Sequence, residues 1–204
     1  LVDDGSTDGT AKMIRTHESD SLQLLQLPHN IGKAEAIRRG VLHARDSGWL
    51  DDAVWVGYWD ADLATPLSEL EGFIRYAELA EGRVDGILGS RISRLGSTIV
   101  RSYRRHVLGR IFATAAAALV KIESYDSQCG AKLFRVELVN EAFGEPFLSR
   151  WIFDVEILAR LRGRRLIEYP LVRWTDVGGS KVNVIRVVIP TLIDLIRIRR
   201  KYHV

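Results

Sequence analysis

Val56-Gly57-Tyr58-Trp59-Asp60-Ala61-Asp62 is the stretch on which the reading of this chain turns. A short apolar run meets two carboxylates one residue apart. Residues i and i+2 of a strand point to the same side. The spacing therefore predicts Asp60 and Asp62 aimed at one point beyond the C-terminal end of a strand over Ala53 to Trp59. Two carboxylates that close repel each other unless a cation lies between them. A strand followed by a polar turn explains the same residues, because Asp-x-Asp is common by chance. The flanking chain has to separate the two readings.

On the N-terminal side, Leu22 to Leu27 is a second strand candidate, and Pro28-His29-Asn30-Ile31-Gly32-Lys33 is a loop. Ala34, Ile37, Val41 and Ala44 then recur at helical spacing, so one helix face is apolar. Lys33 stands at the start of that helix, where the dipole disfavours a cation. An anionic ligand would account for it, as would simple solvation. Further upstream, Leu1-Val2 runs into Asp3-Asp4-Gly5-Ser6-Thr7-Asp8-Gly9-Thr10, and a helical pattern begins at Ala11 and Ile14. Ser6, Thr7 and Asp8 are all good N-cap types. A strand end, a tight turn and a helix start form the ligand crevice of open α/β sheets; an acidic capped loop is the plainer alternative. Leu1-Val2-Asp3-Asp4 resembles the end of a strand already in a sheet, so a further strand is expected upstream.

On the C-terminal side, Thr65-Pro66 and Ser68 open a helix with Leu67, Leu70, Phe73, Ile74 and Ala77 on one face. Val84 to Gly89 reads as a buried strand ending at Ser90-Arg91. Strands and helices alternating at this rhythm argue for an α/β fold with a mostly parallel sheet. The next stretch is basic, with Arg91, Arg94, Arg101, Arg104, Arg105 and Arg110, followed by an alanine-rich helical run from Ile111 to Val120. Such a face is either solvated or meets a phosphorylated lipid or a membrane. Tyr125-Asp126-Ser127-Gln128-Cys129-Gly130-Ala131-Lys132-Leu133-Phe134-Arg135 is dense in polar function and turns into a strand. Trp151 to Leu158 is a helix, in which Asp154 and Glu156 either serve a site or favour the dipole. Leu166 to Trp174 is a late strand with Pro170 at an edge or bend. Gly178-Gly179-Ser180-Lys181 is a loop able to fold over phosphates. From Val184 to Val204, apolar Ile185, Val188, Ile189, Leu192, Ile193 and Ile196 combine with Arg197, Arg199, Arg200 and Lys201, and Pro190 marks a kink or a first turn. An amphipathic helix with a basic end suits a membrane interface; packing on the sheet explains the same pattern.

With 204 residues, 47% hydrophobic and 27% charged, the chain can build one large domain with a real core. A net charge of +3 does not indicate nucleic acid; phosphate-bearing ligands or an anionic bilayer fit equally well. The single cysteine, Cys129, excludes an intrachain disulfide and is compatible with a reducing compartment. No uninterrupted apolar run is long enough to span a bilayer. Neither G-x-G-x-x-G nor G-x-x-x-x-G-K-[ST] follows the first strand, which argues against a dehydrogenase or a P-loop protein.

Taken in order, Val2-Asp3-Asp4-Gly5-Ser6-Thr7-Asp8, Asn30-x-Gly32-Lys33, Asp60-Ala61-Asp62, Gly89-Ser90-Arg91, Asp126-Ser127-Gln128-Cys129-Gly130 and Arg150-Trp151-x-Phe153-Asp154-x-Glu156 resemble the family 2 glycosyltransferases. Within these they are most similar to the dolichyl- and polyprenyl-phosphate group. The resemblance implies a GT-A (Rossmann-like) fold over residues 1–181, with a mixed, mostly parallel sheet flanked by helices, and an amphipathic basic helix over 182–204. It implies an inverting, metal-dependent transferase. The sugar, glucose from UDP-glucose as first choice, would pass to dolichyl or polyprenyl phosphate at the cytoplasmic face of a membrane. A polysaccharide acceptor and a non-catalytic nucleotide-sugar-binding fragment stay open as alternatives.

By the same resemblance, Asp3, Asp4 and Ser6 belong to the nucleotide site, together with Lys33, Asp60 and Arg91. Asp60 and Asp62 hold Mg²⁺ or Mn²⁺. Lys132, Arg135 and Lys181 are phosphate contacts. Asp126 acts at the acceptor side, as a base or as an orienting residue. Two departures stand out: the family's upstream Pro-x-x-Asn-Glu motif does not occur, and Ala34 replaces a glycine often found after Gly-Lys.

Overall fold

The computed structural model describes residues 1–101, 103–177 and 184–203, with the side chains of 103–106, 108 and 184–188 outside that description. The Gly178–Lys181 loop, and with it the expected phosphate contact Lys181, lies outside the described residues, as do the side chains of Arg104 and Arg105. In chain order the elements are β1 (Val2–Asp3), α1 (Thr10–Arg15), β2 (Leu25–Gln26), α2 (Lys33–Asp46), β3 (Trp55–Trp59), α3 (Glu69–Leu79), β4 (Gly86–Ser90) and β5 (Thr98–Val100). There follow α4 (Tyr103–Val120), β6 (Ala131–Arg135), α5 (Val139–Phe143), α6 (Phe153–Arg160), β7 (Leu166–Pro170), β8 (Arg173–Thr175) and α7 (Val184–Tyr202).

The central sheet has the order β3-β6-β4-β7. β6 is antiparallel to both neighbours and β7 is parallel to β4, so β3, β4 and β7 run one way and β6 alone is reversed. Alternation along the strands divides two cores. Val56, Tyr58 and Phe134 face α2, α5 and α6, while Trp55, Trp59, Ala131 and Leu133 face α3. β4 is buried at every residue, as a strand covered on both faces must be.

Several elements are shorter than their sequence pattern. The strand expected over Leu22 to Leu27 pairs only at Leu25 and Gln26. The late strand breaks after Pro170, where Leu171 donates its N–H to Ser90 O and Val172 accepts from the Thr98 N–H, so the chain moves from β4 to β5. Pro170 closes β7 at the sheet edge, where a missing donor is tolerated. Ser68 makes no side-chain cap; α3 begins at Glu69, whose carboxylate instead accepts the N–H groups of Val172 and Arg173.

β1 and β2 form a separate parallel pair. Among the described residues β1 pairs only with β2, and β3 only with β6. Their other edges border a cavity of about 920 Å³, lined by Val2, Gly57 and Trp59 and, at its polar end, by Asp4, Lys33, Asp60 and Asp62.

α7 packs on α4 and α6 through Leu195 and Ile198, both fully buried, while Ile189, Leu192, Ile193 and Ile196 stay exposed. Both expected uses of its apolar residues are thus compatible on one helix. No described helix is long and apolar enough to cross a membrane.

Candidate active site

Asp60 follows the last residue of β3, and its N–H donates to Gly130 O at 2.7 Å, one step beyond the β3–β6 ladder. The chain then turns: Leu63 N–H donates to Asp60 O, and Asp62 Oδ1 accepts from the Ala64 N–H at 3.0 Å. Asp60 therefore opens a turn that contains Asp62, and the simple strand alternation expected for them stops at Trp59. Leu63 sits at φ +53°, in the left-handed region that a γ-branched side chain rarely adopts. The turn is held by Trp59, whose indole N–H donates to Thr65 O.

Lys33 begins α2 and places Nζ 2.6 Å from Asp60 Oδ1. The two are an ion pair without an aligned hydrogen bond; Asp60 Oδ1 is buried and accepts no hydrogen bond among the described residues. With Lys33 about half exposed, such a pair is worth only ~0–1 kcal/mol. It separates at small cost when a better partner arrives.

At the end of β1 the two acidic residues have different jobs. Asp4 accepts the N–H groups of Ile31 and Gly32 on its two oxygens, at 2.8 and 2.9 Å, and so clamps the loop before α2. Both oxygens of this expected nucleotide contact are taken up by backbone. Asp3 is buried; Oδ1 accepts the Ser6 N–H, and Oδ2 has no hydrogen-bond partner among the described residues. Leaving a buried acceptor unpaired costs ~1–3 kcal/mol, which a donor reaching Oδ2 would relieve. Ser6 itself is exposed on the turn. Gly5, at φ +73°, touches the backbone of His29 and Asn30 and brings the two loops together.

Asp126 and Arg91 form a two-pronged pair. Nε and Nη2 of Arg91 donate to Oδ2 and Oδ1 at 2.6 Å each, and the Arg91 N–H adds a third bond. Burial pushes the Asp126 carboxyl up, but the hydrogen bonds and charge of Arg91 outweigh it and hold it below 3.8. Glu168 fixes the preceding turn by accepting from Ser124 Oγ and from the Tyr125 and Asp126 N–H groups. Both Asp126 oxygens are therefore taken up by Arg91, and Arg91 is committed to them and to the Trp174 ring 5.3 Å away. Other arginines of the basic stretch also serve internal contacts: Arg94 donates to Pro170 O, and Arg110 donates to Tyr125 O.

The sign of the Asp126 shift sets a pH expectation. A carboxyl depressed on folding contributes stability above its unfolded value near 3.8 and loses it as pH falls through the lower folded value. Asp126 should thus add no acid limb to a rate profile between about pH 5 and 8. Comparing kcat/KM profiles of the parent and Asp126→Asn checks this: the shape should be unchanged, whereas loss of a limb near neutrality would restore Asp126 as a base.

Two expected phosphate contacts are corrected. Lys132 is completely buried, not open to a phosphate: Nζ donates to Cys129 O and to Asp154 Oδ1, the latter at 2.5 Å, and Tyr58 Oη donates to the same carboxylate oxygen. Removing one partner of such a pair costs ~3–5 kcal/mol. Arg135 lies opposite Trp55, at the far end of β3 from Asp60, where it donates to Val84 O and stacks on the Trp55 ring. Five residues along a strand is ~17 Å, too far to reach the same ligand group.

Cys129 is buried and its thiol is pushed up to about 11, mainly by burial, so it supplies no nucleophile. Gly130 was visible only as part of a motif, yet it sets the site. A Cβ there would stand 2.0 Å from Asp60 Oδ2. Among the described residues no group of three or more His, Cys, Asp or Glu side chains could enclose a metal. Asp60 and Asp62 are hard oxygen donors of the kind Mg²⁺ or Mn²⁺ takes, and Asp60 Oδ1, held by a half-exposed lysine without an aligned hydrogen bond, fits that use. The remaining coordination would fall to the ligand.

An α/β sheet with acidic turns at the ends of β1 and β3 is a GT-A-like fold, and solved structures share it. Glucosyl-3-phosphoglycerate synthase from Mycobacterium tuberculosis, solved with Mn²⁺ and uridine-diphosphate-glucose, superimposes with a TM-score of 0.63 at 18% identity, over 96% of this chain and 67% of that one. The profile of Glycosyl transferase family 2 matches residues 1–143, and the chain belongs to that family. Among curated relatives, dolichyl-phosphate beta-glucosyltransferase of Dictyostelium discoideum is 33% identical over 99% of this chain and 62% of its own length. The enzyme of the same name from Trichomonas vaginalis is 35% identical over 97% and 60%, and that from Saccharomyces cerevisiae 31% over 99% and 64%. The chain thus spans about three-fifths of these relatives.

Proposed function

We propose that the protein transfers glucose from UDP-glucose to dolichyl or another polyprenyl phosphate with inversion at the anomeric carbon. The observation that carries this reading is the placing of two acids at the C-terminal ends of β1 and β3: Asp3, whose buried Oδ2 has no donor among the described residues, and Asp60, whose buried Oδ1 faces the half-exposed Lys33 ammonium at 2.6 Å. That is where open α/β sheets bind nucleotides. Asp3 would accept from the nucleoside. Asp60 and Asp62 would hold Mg²⁺ or Mn²⁺, which when bound neutralises the charge developing on the leaving diphosphate. Lys33 would exchange its carboxylate for a phosphate oxygen at the N-terminus of α2, a position that favours anions. The names of the relatives support glucose and dolichyl phosphate.

The Arg91–Asp126 pair supports the acceptor. An alcohol needs a base to attack, and Asp126 is spent on Arg91. A lipid monophosphate, with a second pKa of about 6, is already ionised at neutral pH. Labelled UDP-glucose offered with dolichyl phosphate or with dolichol tests this: label should enter the lipid phase only with the phosphate. Equal transfer to dolichol would contradict it.

The acceptor lipid brings the protein to a membrane surface. Exposed Ile189, Leu192, Ile193 and Ile196 on α7, followed by exposed Arg199 and Arg200, suit insertion at an anionic interface. The cytoplasmic leaflet, which carries anionic lipid, fits that basic end. Burying one such side chain is worth ~1.5–3 kcal/mol. Leu192→Glu with Ile196→Glu should lower co-sedimentation with phosphatidylserine vesicles by at least about tenfold; unchanged sedimentation would remove α7 from the interface.

A further inference from the structure

Lys132, Asp154 and Tyr58 form a buried polar cluster that the chemistry above does not use. Its position relative to Asp60 is specific. Tyr58 and Lys132 are cross-strand partners on β3 and β6, and the next pair of the same kind toward the site is Asp60 with Gly130. Asp154 comes from the first turn of α6, which covers this face of the sheet. Three separate elements therefore meet on one carboxylate oxygen, Asp154 Oδ1.

The cluster reaches the site through one peptide unit and its neighbours. Lys132 Nζ donates to Cys129 O, and Asp60 N–H donates to Gly130 O. The Cα of Gly130 abuts the Asp60 carboxylate so closely that no side-chain atom fits between them. Cys129 N–H also donates to Asp126 O, which ties the same segment to the Arg91 pair. Lys132 is thus a buried charged donor to the backbone from Asp126 to Gly130, and that backbone presses directly on Asp60. A buried ammonium is costly unless fully paired. A neutral side chain would fill the space more cheaply, so the charge is explained by the carbonyl it grips.

We infer that Lys132, held by Asp154 and Tyr58, is a positioning residue for Asp60: by fixing the Cys129 carbonyl it sets the Gly130 backbone against which the Asp60 carboxylate is aimed at a metal–diphosphate ligand. The inference rests on the reading of Asp60 as the ligand for that group. It acts on ligand affinity and leaves the bonds made and broken untouched.

The test measures binding of Mn²⁺ with UDP by calorimetry, alongside thermal melting, in the parent, Asp60→Asn, Tyr58→Phe and the double variant Lys132→Met/Asp154→Asn. The double variant removes both charges together, which avoids stranding one of them. It should melt within about 5 °C of the parent, yet bind Mn²⁺–UDP at least about tenfold more weakly; Tyr58→Phe, which keeps the ion pair, should bind about two- to threefold more weakly. A double variant that folds and binds as the parent does overturns the inference. If the double variant does not fold, Tyr58→Phe decides alone, and unchanged affinity there overturns it. Asp60→Asn separates the two levels. Undiminished binding in that variant defeats the reading of Asp60 itself, whereas loss there with no change at Lys132 defeats only the positioning role.

Discussion

Asp60→Asn is expected to lower glucosyl transfer by on the order of 10²–10³-fold while the protein melts within a few degrees of the parent. The substitution keeps the size and the N–H bond to Gly130 O but removes the charge. What the fold loses is the pair with half-exposed Lys33, worth at most ~1 kcal/mol. What the proposed reaction would lose is a ligand for a divalent cation held against the leaving diphosphate, a contribution of several kcal/mol. Activity and stability therefore separate. Transfer rates at saturating donor, read beside a thermal melt, check this. A variant of unchanged rate would exclude Asp60 from the site, and one that fails to fold would make it a structural residue.

Gly130→Ala is expected to cost about 10²-fold in kcat/KM through the same carboxylate, without removing any chemical group. An alanine Cβ would lie 2.0 Å from Asp60 Oδ2 and 2.5 Å from Oδ1, so the carboxylate must move by more than an ångström. The obstacle is the end of a partly exposed side chain, so the fold should yield with a loss of only ~1–3 kcal/mol. Gly57→Ala is the informative contrast. Its Cβ would meet the backbone oxygen of Lys132 within the sheet, where nothing can step aside, and the loss should appear as instability. Melting temperatures and kcat/KM for both variants distinguish the mechanisms. Equal behaviour of the two would show that Gly130 is a packing position like Gly57.

The sequence reading located Asp60 and Asp62 through a purely local signal, an apolar run stopping at two acids. It placed them on a straight strand, because alternation gives no notice of the turn closed between Leu63 N–H and Asp60 O. Asp3 and Asp4 were legible as an acidic pair, but their division of labour depends on Ile31 and Gly32, which lie on another loop. Lys132 shows the limit most clearly. The family resemblance implied a phosphate contact for it, and the partner that overrides this, Asp154, belongs to a helix 22 residues on. Arg91 and Asp126, 35 residues apart, were each assigned a ligand-facing role, and the fold pairs them with each other. Arg135 failed for a different reason: the reversed direction of β6 carries it to the far end of the sheet, and strand direction is a property of topology that a local pattern does not contain.

Incubation with labelled UDP-glucose, dolichyl phosphate and Mn²⁺, followed by solvent extraction, tests the proposed activity most directly. It should be run on this chain and on a form extended upstream of Leu1, each with and without Asp60→Asn. Label is predicted to enter the organic phase in an Asp60-dependent manner, with the glucosyl phosphate in the inverted, β configuration. Label absent from the organic phase for both forms, or present equally after Asp60→Asn, would contradict it.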